Sequence, residues 1–181
     1  MIDNKEMMIG EHFTYRGIEW ICLDIIDGNY LAITAQVWKE EVTFDVDCYN
    51  DWKESSLRKR LNKEFLSKLV KKHLVMQTSD LIADNGDKAY GTSEDYVTIL
   101  SCDQYRKYRE LVPHVQVWTL TPWGCSSYRG NFSSAVRFPT FYDGKDFTGF
   151  GFGSLETDNK LGVAPVVLFS AEHLELSRQT R

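Results

Sequence analysis

The chain has 181 residues, of which 43% are hydrophobic and 26% charged, and its formal net charge is −5 at pH 7. These values are typical of a soluble globular domain with a sizeable core, and the acidic balance argues against general nucleic-acid binding. No stretch approaches the roughly 20 apolar residues of a membrane-spanning helix. We therefore expect one domain over residues 1–181, with a lead-in at 1–10, a peripheral tail at 171–181, no nucleic-acid partner and no membrane insertion.

The start of the chain and the cysteines bear on its location. Residues 1–10 are interrupted by polar and charged side chains and lack the apolar run of a signal peptide. We therefore expect a cytoplasmic protein by default, or one associated with a phage particle. The cysteines have no C-x-x-C spacing and are predicted to be reduced thiols. They are Cys22, Cys48, Cys102 and Cys125.

The first predicted element is a β-hairpin. Residues 17–26 are rich in β-branched and aromatic side chains, which favours a strand. Asp27, Gly28 and Asn29 follow, and these residue types tolerate the positive φ angles of a tight hairpin turn. Residues 30–38 are predicted to return as the second strand.

An amphipathic helix is predicted next, beginning near Trp52. Apolar residues recur every four positions on one face, and others widen the stripe. Either Asp51 followed by Glu54, or the pair Ser55 and Ser56, would cap its start. Residues 53–72 contain eight basic and two acidic residues, which favours a solvated charged face over a phosphate or membrane patch. The apolar positions are Leu57, Leu61, Phe65, Leu66, Leu69, Val70 and Leu74.

The next part of the chain predicts short strands and a second helix. Residues 84–91 have the composition of a calcium-binding loop but lack the spacing that would direct ligands at one ion. Ser101 is placed to cap a helix over residues 102–111, which Pro113 would end. The predicted strands cover residues 75–83, 96–100, 115–120 and 161–169.

Residues 123–152 differ in composition from the rest of the chain. They hold nine aromatic residues and five glycines with almost no aliphatic residues. Tyr, Trp, Ser, Gly, Asn and Arg are the residues of adaptable recognition surfaces, so this segment is the predicted binding face. Phe138, Phe150 and Phe152 are expected to pack in the core instead. The predicted ligand-binding residues are Trp123, Tyr128, Arg129, Asn131, Phe132, Phe141, Tyr142, Asp143, Asp146 and Phe147, with Lys145 beside them.

Four segments resemble a family of uncharacterised bacterial and prophage domains that is frequent in gut bacteria. The first resembles a W-x-x-S-x-L-R-x-W-L-N-x-x-F-L signature, and the second a D-x-V-x-L-L-S junction between a strand and a helix. The third and fourth are similar to W-x-L-R-S-P and G-V-R-P-A. The matching residues are Trp52, Ser55, Leu57, Arg58, Leu61, Asn62, Phe65 and Leu66, then 95–101, 118–122 and 162–167.

This resemblance spans residues 17–170 and implies an α+β fold of the C-type-lectin-like class. Such a fold has small mixed antiparallel sheets, two flanking helices, paired terminal strands and a loop-rich C-terminal half that forms the ligand face. The family is related to formylglycine-generating enzymes and to the variable proteins of diversity-generating retroelements. In this chain Arg60 replaces the second tryptophan of the signature, and Thr121 and Ala164 stand near the positions of two family arginines.

The known chemistries of this fold are not predicted here. Cys102 and Cys125 lie on different elements and lack the close pairing that a copper-dependent oxidase needs, and the Gly124–Cys125–Ser126 stretch lacks a nucleophile elbow. The E-P-N and W-N-D motifs of calcium-dependent sugar binding are missing, and the four histidines have no zinc spacing. Gly149, Gly151 and Gly153 alternate with phenylalanines, which favours a closely packed strand or loop over a phosphate cradle.

The sequence therefore predicts a non-catalytic module without cofactor or metal that binds a protein or a glycan through its aromatic-rich C-terminal loops. Its role would be adhesin-like or phage-associated. Two alternatives remain open from sequence: a thiol-using relative of the formylglycine-generating enzymes, and a structural subunit of a larger assembly. The oligomeric state is not specified by any pattern in the chain.

Overall fold

The computed structural model describes residues 7–125, 135–143 and 148–174. It has an α+β architecture built on a six-stranded antiparallel sheet, with three two-stranded ribbons around it. The strands are β1 (His12–Tyr15), β2 (Ile18–Ile26), β3 (Asn29–Thr34), β4 (Lys39–Thr43), β5 (Leu74–Val75), β6 (Gln77–Asp80), β7 (Thr92–Asp95), β8 (Val97–Thr98), β9 (Ala135–Asp143), β10 (Thr148–Glu156), β11 (Lys160–Val163) and β12 (Val166–Phe169). The α-helices are α1 (Ser56–Arg60) and α2 (Cys102–Tyr108).

The main sheet has the order β1-β2-β3-β12-β5, and β8 also pairs with β12. The predicted first hairpin is confirmed, because β2 and β3 pair around Asp27 and Gly28, whose φ angles are 49° and 77°. The second strand is shorter than predicted and ends at Thr34. Strand β12 has β3 on one side and both β5 and β8 on the other, and all four of its side chains are buried.

The first and last strands of the described chain do not pair, in contrast to the expectation from the family resemblance. β1 pairs with β2, and both β2 and β3 lie between β1 and β12. Strand β1 is not among the predicted strands. Its Phe13 and Tyr15 alternate with exposed residues and precede a turn at Arg16 and Gly17, both with positive φ.

The long first helix is shorter and less regular than predicted. Helix α1 continues into a π-helical turn at Leu61–Phe65 and a 3₁₀ turn at Leu66–Lys68, and the backbone is extended at Leu69. A four-residue spacing overshoots one α-helical turn by about 40° per step, so the apolar positions would drift off one face of a regular α-helix. The wider π turn offsets this drift, and Leu57, Leu61 and Phe65 are all buried.

The three ribbons are β4 with β11, β6 with β7, and β9 with β10. The β9–β10 ribbon corrects the prediction of a loop-rich C-terminal half, because nine residue pairs are in register between its two strands. The alternating glycines are in β10, as the strand interpretation required. Gly153 lies beneath the Phe138 ring, where an added Cβ would come within 2.6 Å of that ring.

The other predicted strands are confirmed only in part. The 75–83 prediction corresponds to β5 and β6, and the 96–100 prediction to the two residues of β8. Residues 115–120 form no strand and make a single bridge from Val117 to Gly162. The final strand is divided into β11 and β12 at Ala164 and Pro165, because proline has no N–H to donate to a ladder.

Both faces of the main sheet are covered. Alternate residues of β2 enter different clusters, with Trp20 and Cys22 on one face and Ile21 and Leu23 on the other. The α1 segment packs on the first face, and α2 packs on the second through Tyr105 and Tyr108. The two flanking helices of the prediction are therefore present. Within the described ranges, no helix has both the length and the apolar content to cross a bilayer.

The first two signature segments hold each other in place. Trp52 Nε1 donates to Asp95 at 3.0 Å, and Arg58 Nε donates to both oxygens of the same carboxylate at 2.8 and 3.0 Å. Asn62 donates to the backbone carbonyl of Val97 and accepts from its N–H. Ser55 is the N-cap of α1 and accepts from the amide of Arg58. These residues therefore dock the helical segment onto the β7–β8 segment.

The other two signature segments are also neighbours. The N–H of Trp118 donates to the carbonyl of Gly162 at 3.1 Å, and its indole donates to the carbonyl of Val42. A Cβ at Gly162 would lie 3.0 Å from both the Gln116 carbonyl and Val37, so the close approach requires glycine. The resemblance therefore rests largely on residues that build the fold.

Helix α2 confirms its predicted start. Ser101 accepts from the amide of Gln104, and the Gln104 side chain accepts from the amide of Ser101, which is a full capping box. The helix ends at Tyr108, three residues earlier than predicted. At Thr121, which stands near a family arginine, the side-chain oxygen accepts from the amide of Cys102 at the first residue of this helix.

Candidate functional site at the aromatic-rich segment

The two chain stretches that flank residues 126–134 of the predicted binding segment are paired with each other. The amide of Trp123 donates to the carbonyl of Ala135 at 3.0 Å, and the amide of Arg137 donates to the carbonyl of Thr121 at 2.9 Å. Pro122 and Val136 form an antiparallel bridge between these two bonds. The two stretches, 121–125 and 135–137, therefore form a fixed frame, here called the loop frame.

A buried amide supports the loop frame from below. The Asn50 side chain has no solvent exposure, and its Nδ2 donates to the carbonyls of Gly124 and Ala135, each at 2.9 Å. The Tyr90 hydroxyl donates to Asn50 Oδ1 at 2.7 Å. A single side chain thus links both ends of the frame, and its amide is satisfied on both its donor and acceptor sides.

An ion pair and an aromatic ring hold the outer side of the frame. Arg137 Nε donates to Asp84 at 2.9 Å, and its Nη1 donates to the Ser154 hydroxyl at 2.8 Å. The same guanidinium lies 4.4 Å from the centre of the Trp123 ring, which is within the range of a cation–π contact. Trp123 is half-buried. Because its ring packs on Arg137, at least part of the ring stabilises the fold.

A row of partly exposed rings follows the β9–β10 ribbon. The exposed His114 ring stacks on Phe141 with centroids 4.8 Å apart and an angle of 17°. Phe141 contacts Phe150 at 5.4 Å, Phe150 contacts Phe152 at 5.0 Å, and the Arg106 guanidinium lies 4.7 Å from the Phe152 ring. Phe150 and Phe152 pack on the second core cluster, as predicted, while Phe141 is the outer member beside His114.

The structure describes four of the ten predicted ligand-binding residues. Trp123 is in the loop frame and Phe141 is in the aromatic row, while Tyr142 and Asp143 are the last two residues of β9. The others lie outside the described residues, as does Lys145. They are Tyr128, Arg129, Asn131, Phe132, Asp146 and Phe147.

The four described residues of the predicted set do not converge on one point. Ala135 and Asp143 are the two ends of β9, and a strand rises about 3.3 Å per residue, so these ends are about 26 Å apart. Trp123 contacts the Ala135 end, and Tyr142 and Asp143 are at the opposite end. The four described residues therefore lie in two places, here called the frame end and the ribbon end.

The cysteines are poorly suited to nucleophilic chemistry. All four are free thiols, and Cys48 is the exposed one. Burial raises the pKa of Cys22 and of Cys102 to about 11 and also raises the pKa of Cys125. The thiolate is the reactive form, so the buried thiols are held in the unreactive state near neutral pH.

Metal chemistry finds no support in the part of the chain that the structure describes, which contains no group of three or more His, Cys, Asp or Glu placed to hold an ion. In the 84–91 loop, side-chain oxygens accept hydrogen bonds from backbone amides or pair with an arginine. Asn85 Oδ1 accepts from the amide of Asp87, Asp87 Oδ1 accepts from the amide of Ala89, and Asp84 binds Arg137.

Sequence reasoning missed the residues that build the loop frame. No prediction was made for Asn50, and Asp84 is predicted only as part of the calcium-like loop at residues 84–91. Arg137 was not considered, although it is the one basic residue among the apolar and aromatic residues of the 135–142 stretch. That isolated charge was the available signal, because a cation in an apolar strand usually has an acidic partner.

Comparison of the chain with models of protein families, with curated proteins and with solved structures found no match. The family and the C-type-lectin-like fold expected from the four segments therefore remain proposals. The coarser α+β architecture with small antiparallel sheets is the established fold class of this chain.

Proposed function

We propose that this chain is a non-catalytic binding module that recognises a protein or a glycan through its aromatic-rich segment, residues 123–152. The observation that carries the proposal is the loop frame. Asn50 bonds both Gly124 and Ala135, so residues 126–134, nine of the ten residues between them, are joined to the fold at fixed, adjacent points. Pre-organised ends lower the entropy that a recognition segment loses on binding.

The composition of those nine residues supports the proposal independently of their conformation. Residues 126–134 consist of four serines and one each of Tyr, Arg, Gly, Asn and Phe. Antibody-type recognition loops favour the same residue types, since tyrosine supplies contact area at small entropic cost and serine, glycine and asparagine supply adaptable hydrogen bonds. We place the principal contacts at the frame end of the segment, with Tyr128, Arg129, Asn131 and Phe132.

The ribbon end is the secondary part of the proposed site. Phe141 and His114 form a stacked, partly exposed pair there, next to the end of β9. Phe150 and Phe152 are largely committed to packing, so they would support that pair rather than contact the ligand. In this proposal an adhesin-like or phage-associated role uses the frame end for affinity and the ribbon end for additional contacts.

The experiment is a binding screen of the purified chain against a glycan array and a panel of purified cell-surface proteins. Tyr128→Ala tests the frame end and Phe141→Ala tests the ribbon end. Tyr49→Ala is the matched control, because Tyr49 is 59% exposed and lies outside the segment.

We expect Tyr128→Ala to abolish binding and Tyr49→Ala to retain it, with unchanged melting temperatures for both. Loss of binding in Phe141→Ala alone would move the site to the ribbon end. A folded protein that binds nothing in either panel would overturn the proposal.

A further inference from the structure

A concave site lies away from the aromatic-rich segment. It has a volume of about 380 Å³ and is formed by the turn between β1 and β2, the stretch after β3 and the end of the α1 helical segment. This volume is within the range of small-molecule pockets. No residue that lines it belongs to β9, β10 or the loop frame. It is called the Trp38 pocket below.

Trp38 forms a fixed aromatic wall of this pocket. Its backbone N–H donates to the carbonyl of Val163 at 2.8 Å, and its ring meets the edge of the buried Phe65 ring at 5.3 Å and 72°. The side chain is half-buried, so part of the indole remains accessible while packing fixes its orientation. An indole held in this way offers a stacking surface without loss of rotamer entropy on binding.

Positive charge is concentrated at this wall, where the Lys39 Nζ also lies over the Trp38 ring, 4.6 Å from its centre. Lys68 lines the pocket, its Nζ is 6.0 Å from the centre of the Trp38 ring, and it has no carboxylate partner among the described residues. Lys39 is outside the pocket lining and binds Glu64 at 3.2 Å. The carboxylate that lines the pocket, Glu19, contacts His12 at 3.2 Å, a contact that becomes an ion pair only when the histidine is protonated.

Two neutral polar groups complete the lining. Gln36 is exposed, and its amide makes no hydrogen bond to a described residue. Thr34 is 2% exposed, and its hydroxyl is buried without a hydrogen-bond partner in the described structure. Unpaired buried polar groups are rare in folded proteins because they cost free energy.

We propose that the Trp38 pocket binds a small planar aromatic ligand with a negative charge, of the aryl carboxylate class. The ligand ring stacks on Trp38 over the apolar floor that Phe65 provides. Its carboxylate pairs with Lys68 and accepts from the Gln36 amide. The two lysines over the indole favour a negative ligand charge at the ring, and the indole favours a planar aromatic shape.

The test uses a charge series on one ring system: 2-naphthoate, 2-naphthylmethanol and 2-naphthylmethylamine. Binding to the full chain is measured by ligand-detected NMR and by titration calorimetry. We expect the wild-type chain to bind the anion about threefold or more tightly than the neutral compound, as an exposed ion pair contributes, and the cation least. This preference should shrink at high salt.

Two substitutions separate the parts of the proposal. Trp38→Ala should weaken 2-naphthoate about tenfold through loss of stacking. Lys68→Glu should invert the preference so that the cation binds more tightly than the anion. Lys68 is exposed and makes no ion pair among the described residues, so this variant should keep its fold. Lys63→Glu is the matched control, an exposed lysine of the same helical segment that does not line the pocket.

Inversion in Lys68→Glu and none in Lys63→Glu would establish the site. Equal inversion in both variants, equal affinity across the charge series, or full binding by a folded Trp38→Ala variant would overturn the proposal. The binding screen of the aromatic-rich segment uses different residues and different ligands. Failure of either proposal therefore leaves the other standing.

Discussion

Two regions contain aromatic residues in different environments. The first, here called the docking region, is the contact between residues 52–62 and the β7–β8 segment. The second is the β9–β10 ribbon. In the docking region Trp52 is 1% exposed and its indole N–H bonds a carboxylate that Arg58 also binds. In the ribbon, Phe141 is only partly buried and contacts the exposed His114. Full burial with satisfied polar atoms builds stability, whereas partly exposed rings on a two-stranded ribbon leave surface for a ligand.

The largest expected loss of stability comes from removing the Asp95 carboxylate at the centre of the docking region. Asp95 is 5% exposed and accepts from Trp52, Arg58 and Ser93. Asp95→Ala leaves these donors unpaired, so we expect the free energy of unfolding to fall by about 3–5 kcal/mol. Urea denaturation measures it, with Glu94→Ala as the exposed neighbouring control. A loss no larger than that of the control would show that the network is not structural.

A matched pair of phenylalanine substitutions tests the comparison itself. Phe65 is 1% exposed and contacts both Trp20 and Trp38, so Phe65→Ala should cost about 3–5 kcal/mol of unfolding free energy. Phe141→Ala removes a partly exposed ring and should cost about 1 kcal/mol. Both values come from the same denaturation experiment. Equal losses would contradict the division between a structural region and a proposed recognition region.

The loop frame links the two regions and should show an intermediate effect. Asn50→Ala removes the bonds to Gly124 and Ala135 and leaves the Tyr90 hydroxyl without this acceptor. We expect a loss of about 2 kcal/mol in unfolding free energy, together with weaker binding by the aromatic-rich segment. Asn50→Asp keeps the acceptor and loses the donors, so it separates the two contributions. Unchanged stability in both variants would remove the frame as a support.

At Thr34 a substitution is expected to stabilise the protein, by a smaller amount than the losses above. Its buried hydroxyl has no partner in the described structure, and valine has nearly the same shape. Thr34→Val should therefore raise the unfolding free energy by about 1 kcal/mol, because it removes an unsatisfied group. Thermal and urea unfolding both measure it. A loss of stability would mean that the hydroxyl is bonded in solution.

The smallest effect concerns pH and the cluster around His73. Burial lowers the pKa of His73, and His173 and Lys72 lower it further, while the ring bonds the Tyr15 hydroxyl at 2.8 Å. A histidine with a lowered folded pKa adds stability that is present above its ordinary pKa of 6.5 and is lost as the pH falls below it. Melting temperatures from pH 8 to 5 should therefore fall, and fall less in His73→Gln. An opposite trend would contradict this assignment.

Turns and helix caps could be predicted from the sequence where residue types at fixed short spacings specify them. The Asp27–Gly28 turn and the Ser101 capping box followed from residue types at fixed offsets, and both are present. The first helix was overextended because a four-residue apolar spacing was treated as a regular α-helix, although it overshoots one α-helical turn. The π turn at Leu61–Phe65 accounts for that spacing.

Long-range partners were not predictable in the same way. The bonds from Asn50 to Gly124 and Ala135 join residues more than seventy positions apart, and no local pattern specifies them. The β9–β10 ribbon was missed as a whole, although its alternating glycines were correctly considered for a strand. The candidate residues were chosen by composition, which does not say that β9 separates them into two ends.

The central claim is that the docking region carries stability while the aromatic-rich segment carries binding. The most direct test measures both quantities for Phe65→Ala and Tyr128→Ala once the screen has supplied a ligand. We predict that Phe65→Ala lowers the melting temperature strongly and keeps the wild-type Kd at temperatures where it is folded. Tyr128→Ala should keep the wild-type melting temperature and lose binding at least tenfold, a change of about 1.4 kcal/mol. Wild-type affinity in a folded Tyr128→Ala protein, or equal loss of affinity in both variants, would contradict the account.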